Sequence, residues 1–296
     1  MYGEIVVRLA SAVALTMTCT AGLTAAAATA RSVYVTVVDK QGQAVPGLAP
    51  ADFSLKEGGK DREIESVEPA AEKMRLALMV DETLIAQGGV RAGMAEFVQR
   101  MCPIAEISLI VIGIRNETAV DFTSDLNALI DGIRNLSLNK DQRLSMVPEG
   151  VLDAARRFEQ AKPARPVIVL IATEGDQSTG EDPETILTHL ARSGALFSVV
   201  AVGGGAVSGA RVGGLVEMAA TSRLIDGGTR QSGGRCVNII ALTGFTKALQ
   251  QVADDLSSQY RITYTLPDGA APSDRISVSL KRKGLTLRAP TRIPKD

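Results

Sequence analysis

Four apolar runs constrain this chain more than any other feature: RLALMVD (75–81), EISLIVI (106–112), PVIVLIA (166–172) and LFSVVAV (196–202). Each is nearly unbroken in aliphatic residues and short, so each reads as a strand buried on both faces. Helical periods fall between them, at about 90–101, 125–135, 147–160 and 183–193. Asp182-Pro183 opens the last of these with an aspartate at the cap and a proline in the first turn. Strands of this kind alternating with helices predict an α/β fold: a doubly wound, mostly parallel sheet with helices on both faces. Segment 118–122 follows its neighbour too closely for a crossover helix and predicts an antiparallel edge. In open sheets of this type ligands bind beyond the carboxyl ends of the strands. The first run ends there on a carboxylate, Asp81, so this point is the first candidate site.

The two ends of the chain carry a different period. SVYVTVVD (32–39) alternates, with Val33, Val35 and Val37 on one face, and further short strands are predicted at 52–57 and 62–67. Residues 260–266, 275–281 and 285–289 also read as strands, with turns at Pro267-Asp268-Gly269 and Lys283-Gly284. About forty residues cannot bury a sufficient core alone. The economical arrangement is a β-sandwich made of strands from both ends, with the α/β region inserted between them. The expected division is a targeting segment at 1–30, a β module at 31–70, the α/β domain at 71–258 and the rest of the β module at 259–296. Within the α/β part, the glycine-rich residues 203–235 predict a helix at about 211–220. An irregular insertion or hairpin is expected at 223–243.

Arg8 precedes an uncharged run at 9–30, and Ala28-Thr29-Ala30 forms an A-x-A cleavage pattern. This predicts export, to a periplasm or the outside; if the run is retained it would instead anchor the chain in a membrane. Outside that segment Cys102 and Cys236 remain, either paired in an oxidising compartment or as two separate thiols.

Composition removes several functions. Net charge is −1, aromatics make up 3% and tryptophan is absent, which leaves neither a basic field nor a stacking platform for nucleic acid. Lys281-Arg282-Lys283 and Arg288 read as a solvated strand edge. The one histidine, His189, lies on a helix and in no nucleophile motif.

VYVTVVDKQGQAVPGLAPADFSLKEGGKDREIESVEP (33–69) resembles the opening of bacterial proteins carrying the von Willebrand factor type A-related domain, and LQQVADDLSSQYRITYTLPDG (249–269) resembles their closing helix and strand. The resemblance covers nearly the whole chain after the N-terminal run. It implies a Rossmann-like α/β domain that binds partners through its top-face loops. It also implies, in many members, a metal-ion-dependent adhesion site: D-x-S-x-S after the first strand, a threonine before a later helix, and T-D-G after another strand. Few charged ligands there leave Mg²⁺ or Mn²⁺ electrophilic enough to take a partner's carboxylate. In this chain Asp81 and Thr83 match the first two positions, but Ile85 stands at the second serine. Glu149 falls nearest the threonine, with Ser145 close by, and Thr173-Glu174-Gly175 followed by Asp176 replaces T-D-G. The implied metal set is Asp81, Thr83 and Glu174, with Glu149 and Asp176 behind them. The implied partner face is Asp81, Glu82, Thr83, Ser145, Glu174 and Asp176.

The expected function is an exported, non-enzymatic module that binds an unidentified protein, with a degenerate metal site. Two other classes stay open. The Gly203–Gly209 loop follows a strand and permits a nucleotide-binding enzyme, and the carboxylates Asp81, Glu82, Glu149 and Glu174 permit a hydrolase. A third reading is a structural domain whose ligand site has decayed.

Overall fold

The computed structural model describes residues 29–137, 145–173, 180–203 and 214–295. The chain opens with β1 (Thr29–Val38), β2 (Phe53–Glu57), β3 (Lys60–Arg62) and β4 (Ile64–Pro69). The α/β region begins with β5 (Met74–Asp81), α1 (Glu82–Ile85), α2 (Val90–Met101), β6 (Ala105–Ile112), β7 (Glu117–Thr123) and α3 (Leu126–Asn135). It continues through α4 (Val147–Ala161), β8 (Pro166–Thr173), α5 (Pro183–Ser193), β9 (Leu196–Val202), α6 (Gly214–Ser232), β10 (Cys236–Ile239) and α7 (Phe245–Ser257). The chain then returns to β11 (Tyr260–Leu266), β12 (Ile276–Leu280) and β13 (Thr286–Arg288).

The central sheet has the order β10-β9-β8-β5-β6-β7. All neighbours are parallel except β7, which lies antiparallel on the edge. This is the sheet that the apolar runs predict. In β5, Leu76, Leu78 and Val80 face the helices α2, α3 and α7, while Ala77 and Met79 face α4, α5 and α6. Each fully buried large aliphatic side chain contributes roughly 1.5–3 kcal/mol relative to exposure. A strand loaded on both faces therefore cannot slip by one residue without exchanging its two cores.

The chain ends build two further sheets, β13-β1-β11-β4 and β12-β2-β3. β1 runs antiparallel to β11 from Thr29↔Leu266 to Val35↔Tyr260, and β2 runs antiparallel to β12 from Phe53↔Leu280 to Glu57↔Ile276. Val33, Val35, Val37, Phe53, Leu55, Ile262 and Tyr264 share one core between them.

Polar groups join the sandwich to the base of the α/β unit. The Arg165 guanidinium lies 5.3 Å from the centre of the Tyr34 ring. It donates to the carbonyls of Glu72 and Leu256 and to Gln259 Oε1. Asp255 of α7 pairs with Arg235 at 2.9 Å and with Arg288 of β13 at 2.5 Å. Arg288 is thus a half-buried seam residue and not part of a solvated edge. Arg282 is exposed and pairs with Asp52 at 2.7 Å.

The glycine-rich region also differs from its sequence reading. Helix α6 continues to Ser232, and β10 follows as a fifth parallel strand. The helix tolerates Gly227 and Gly228 because it packs too tightly for side chains there. A Cβ at Gly228 would stand 2.7 Å from the Phe197 ring, and one at Gly227 2.9 Å from Leu187. Cys102 belongs to the core on one face of the central sheet and Cys236 packs against the core on the other, and no disulfide joins them. Among the described residues no helix is long and apolar enough to cross a membrane. The run at 9–30 lies outside the described residues except for Thr29 and Ala30, which pair with Leu266 and Thr265.

Two outcomes follow for stability. A Cβ at Gly234 would stand 2.6 Å from the Phe197 carbonyl carbon and nearer still to its oxygen. Because the obstacle is backbone, Gly234→Ala should lower the unfolding free energy by about 2–3 kcal/mol in urea titrations. Burial first, and the Glu72 carboxylate second, push the Tyr34 hydroxyl up from 10.0 to about 12. The folded chain therefore holds this proton after the unfolded chain has lost it. The associated stability is complete below pH 10 and is lost as pH rises through about 12. Denaturant melts across that window should show the loss, and Tyr34→Phe should reduce it.

Candidate functional site

Asp81 ends β5 in an extended conformation and caps α1. Its side chain is 1% exposed, so its charge must be met by protein groups. Three segments meet it. Oδ1 accepts from Thr83 N at 2.9 Å, Thr83 Oγ1 at 2.8 Å and Ser145 Oγ at 2.5 Å. Oδ2 accepts from Thr173 Oγ1 at 2.7 Å and from Thr173 N at 3.3 Å. Hydrogen bonds to a charged acceptor are each worth about 1.5–3 kcal/mol net, which is how the carboxylate can stay inside.

The sheet explains the convergence. β5 lies between β6 and β8, in parallel register, with Asp81 opposite Ile112 and Val80 opposite Ile171. Thr173 thus ends the neighbouring strand beside Asp81. Ser145 Oγ lies 3.2 Å from the Ile112 carbonyl, and Met146 N donates to the Gly113 carbonyl at 3.0 Å. These contacts hold the start of α4 against the end of β6.

Ile85 is 1% exposed and joins Leu84 in the core beneath α2. The position that the resemblance assigns to a second hydroxyl therefore serves packing. Glu149 is the third residue of α4, and its Oε1 accepts from Gly180 N at 3.0 Å while its Oε2 is buried without a hydrogen bond. It is not among the groups that bond Asp81. Glu82 begins α1 beside Asp81. Glu174 and Asp176 lie outside the described residues, as do residues 204–209 of the glycine loop. His189 sits on α5 with Nδ1 2.7 Å from Glu159 Oε2. The sequence reading did not assign a role to the Thr173 side chain, although its place in the T-E-G triplet at a strand end was the available signal.

Oxygen donors suit a hard cation such as Mg²⁺ or Mn²⁺. Among the described residues, however, the cluster contains one carboxylate, and N–H and O–H groups of the protein donate to both of its oxygens. No group of three or more His, Cys, Asp or Glu stands together among the described residues. Among the described residues the arrangement is a buried carboxylate surrounded by three hydroxyls. The larger cavities lie elsewhere. One of about 570 Å³ lies between α4, α5 and the C-terminal tail, and one of about 700 Å³ lies beside β10 and α7.

No protein-family model matches the sequence, and no curated protein matches it. Solved structures match it in fold. One is proximal thread matrix protein 1 from the mussel byssus, with a zinc-occupied MIDAS motif: 13% identity, 68% of this chain, 50% of that chain and a TM-score of 0.51. Another is the vWF domain of the type V pili tip protein Mfa5 from Porphyromonas gingivalis, at 10% identity, 63% of this chain, 96% of that chain and a TM-score of 0.47. A third is BatB from Bacteroides thetaiotaomicron, at 18% identity, 63% of this chain, 100% of that chain and a TM-score of 0.45. The α/β region has the von Willebrand factor type A-like fold. In this chain that fold stands on a sandwich whose strands come from both sides of it in sequence.

Asp81→Ala would leave the Thr83, Ser145 and Thr173 hydroxyls facing a void. It should lower the unfolding free energy by about 3 kcal/mol, measured by urea denaturation. A loss below about 1 kcal/mol would show that the hydroxyls find other acceptors.

Proposed function

We propose that this chain is an exported, non-enzymatic module that binds a protein partner through the top face of its α/β unit, and that a cation is not required. The observation that carries this reading is the placement of exposed apolar side chains. Three large hydrophobic residues stand out as exposed among the described residues: Ile104, Ile114 and Ile240. Two of them, Ile114 and Ile240, follow the carboxyl ends of β6 and β10 and so lie on the same end of the sheet as Asp81. They flank the buried Asp81 cluster on the end of the sheet where open α/β folds present their binding loops, which suits a partner contact there. A catalytic reading requires a concave pocket with titratable groups facing it. Asp81 faces protein donors instead.

The closed state of Asp81 supports independence from metal. Its role is to hold the start of α1, the end of β8 and the start of α4 in one arrangement, so that these elements are set before the partner arrives. The A-x-A pattern at Ala28–Ala30 supports export.

Site-directed photo-crosslinking in the cells that make the protein tests both parts. A photoreactive side chain at Ile114 or Ile240 should give the same discrete adduct, with or without a chelator in the medium. The same group at Lys283, on the sandwich, should give none. Adducts from Lys283 but not from the top face would overturn the binding surface, and loss of adducts with chelator would overturn the metal-free reading.

A further inference from the structure

The two edges of the central sheet are built differently. β7, on one edge, carries Glu117 and Asp121 and meets β6 with two shifts of register, both usual guards against further pairing. β10, on the other edge, has no charged residue and holds β9 in unbroken register. No strand among the described residues lies beyond it. Val199 N donates to the Arg235 carbonyl at 2.8 Å and Gly203 N to the Ile239 carbonyl at 2.9 Å. Main-chain groups alternate in direction along a strand. Residues 235, 237 and 239 therefore face β9, and the exposed Asn238 turns its N–H and C=O to the open side. Asn238 also lines a groove of about 700 Å³, together with Val237, Lys247, Gln250 and Gln251 and the turn at 41–43. The charges in this groove are nearly all met within the chain: Arg235 pairs with Asp255 at 2.9 Å and Asp254 with Arg100 at 2.5 Å. The exposed Lys247 has no ion pair among the described residues.

We propose that β10 takes an extended segment of a partner protein as a seventh strand of the sheet, with an acidic side chain of that segment against Lys247. An open ladder edge is complementary to another main chain. The glutamine amides beside it both donate and accept, as a main chain does. This inference rests on the reading of the top face as a protein-binding surface and names the form of the partner: Ile240, 85% exposed, follows β10 directly and joins the groove to that face. A second copy meeting this edge is a poorer occupant. A strand of four residues buries far less than the roughly 1,000 Å² that a stable interface needs, whereas a segment reaching down from a partner on the top face adds to area already buried there.

The test is a bead-bound library of end-blocked hexapeptides screened against the full chain, with the selected peptides measured by fluorescence anisotropy. The best members should bind with a dissociation constant of about 100 μM or tighter and should carry an acidic residue. N-methylation at alternate residues of the best peptide should abolish binding in one phase and spare it in the other, because one set of N–H groups faces β10. Asn238→Pro removes an N–H that β9 does not use and should weaken the peptide at least tenfold. Lys247→Glu should move the selection from acidic to basic side chains with the melting temperature unchanged. The proposal is overturned if no member binds more tightly than about 1 mM, if both N-methylated phases bind alike, or if binding survives both variants. A dimer of the chain that Asn238→Pro dissociates would also overturn it. Adducts from Ile114 that form while no peptide binds would remove the added strand and leave the top face. Peptide binding without adducts from Ile114 would remove the top face and leave the strand.

Discussion

The pairing of β1 with β11 is the contact on which the rest of the architecture depends. It joins residues more than two hundred positions apart, and the part of its register that cleavage after Ala30 would leave runs from Arg31↔Tyr264 to Val35↔Tyr260. Neither partner could form a stable sheet within its own neighbourhood, since the strands before Met74 are too few to bury a core. Closing so long a loop costs conformational entropy, although that cost grows only slowly with loop length. The α/β unit offsets it by bringing the two points together. Ala70 N donates to the Gln259 carbonyl at 2.8 Å, and β4 pairs with β11 from Pro69↔Tyr260 onward. The inserted unit and the sandwich therefore support each other: one sets the distance between the stems, and the other consumes the free strand edges.

Both buried charge clusters lie where elements from distant parts of the chain meet, but their chemistry differs. At Asp81 a carboxylate is surrounded by hydroxyls and amides and carries no opposing charge among its bonded partners. At the seam, Asp255 sits between Arg235 and Arg288. There burial raises the Asp255 pKa and lowers that of Arg288, even though each is beside the other. Both directions say that desolvation outweighs attraction, as is common for buried ion pairs. The seam pair is thus better understood as fixing how β13 sits on α7 than as a source of stability. Hydroxyls around Asp81 order loops, whereas charges at the seam order whole elements.

Much of this was legible in the sequence, and the reason lies in periodicity. Leu76 to Val80 reads as a strand buried on both faces because no polar residue interrupts it, and its place in the sheet follows. The sandwich reads from the alternation of Val33, Val35 and Val37 together with the shortage of core. Helix α6 did not read correctly, because glycine is a poor helix former in isolation. Gly227 and Gly228 are explained only by the closeness of Leu187 and Phe197, which no local pattern displays. The candidate site read in part. Asp81 was visible at the strand end, but Ser145 and Thr173 reach it from 64 and 92 positions away, and spacing along the chain carries no information about that meeting. Arg288 misled for the same reason: its partner Asp255 lies on another element.

The stem has a mechanical consequence. The α/β unit is covalently tied to the sandwich by two adjacent antiparallel strands, β4 and β11, which leave it side by side. Tension applied at the far end of the unit enters the sandwich along the length of both strands. β11 resists by sliding against β1, with its hydrogen bonds loaded together along the strand rather than opened one at a time. A partner held at the top would therefore pull against a joint in shear, and the lateral contacts of Arg165 and Asp255 would yield before the strands do.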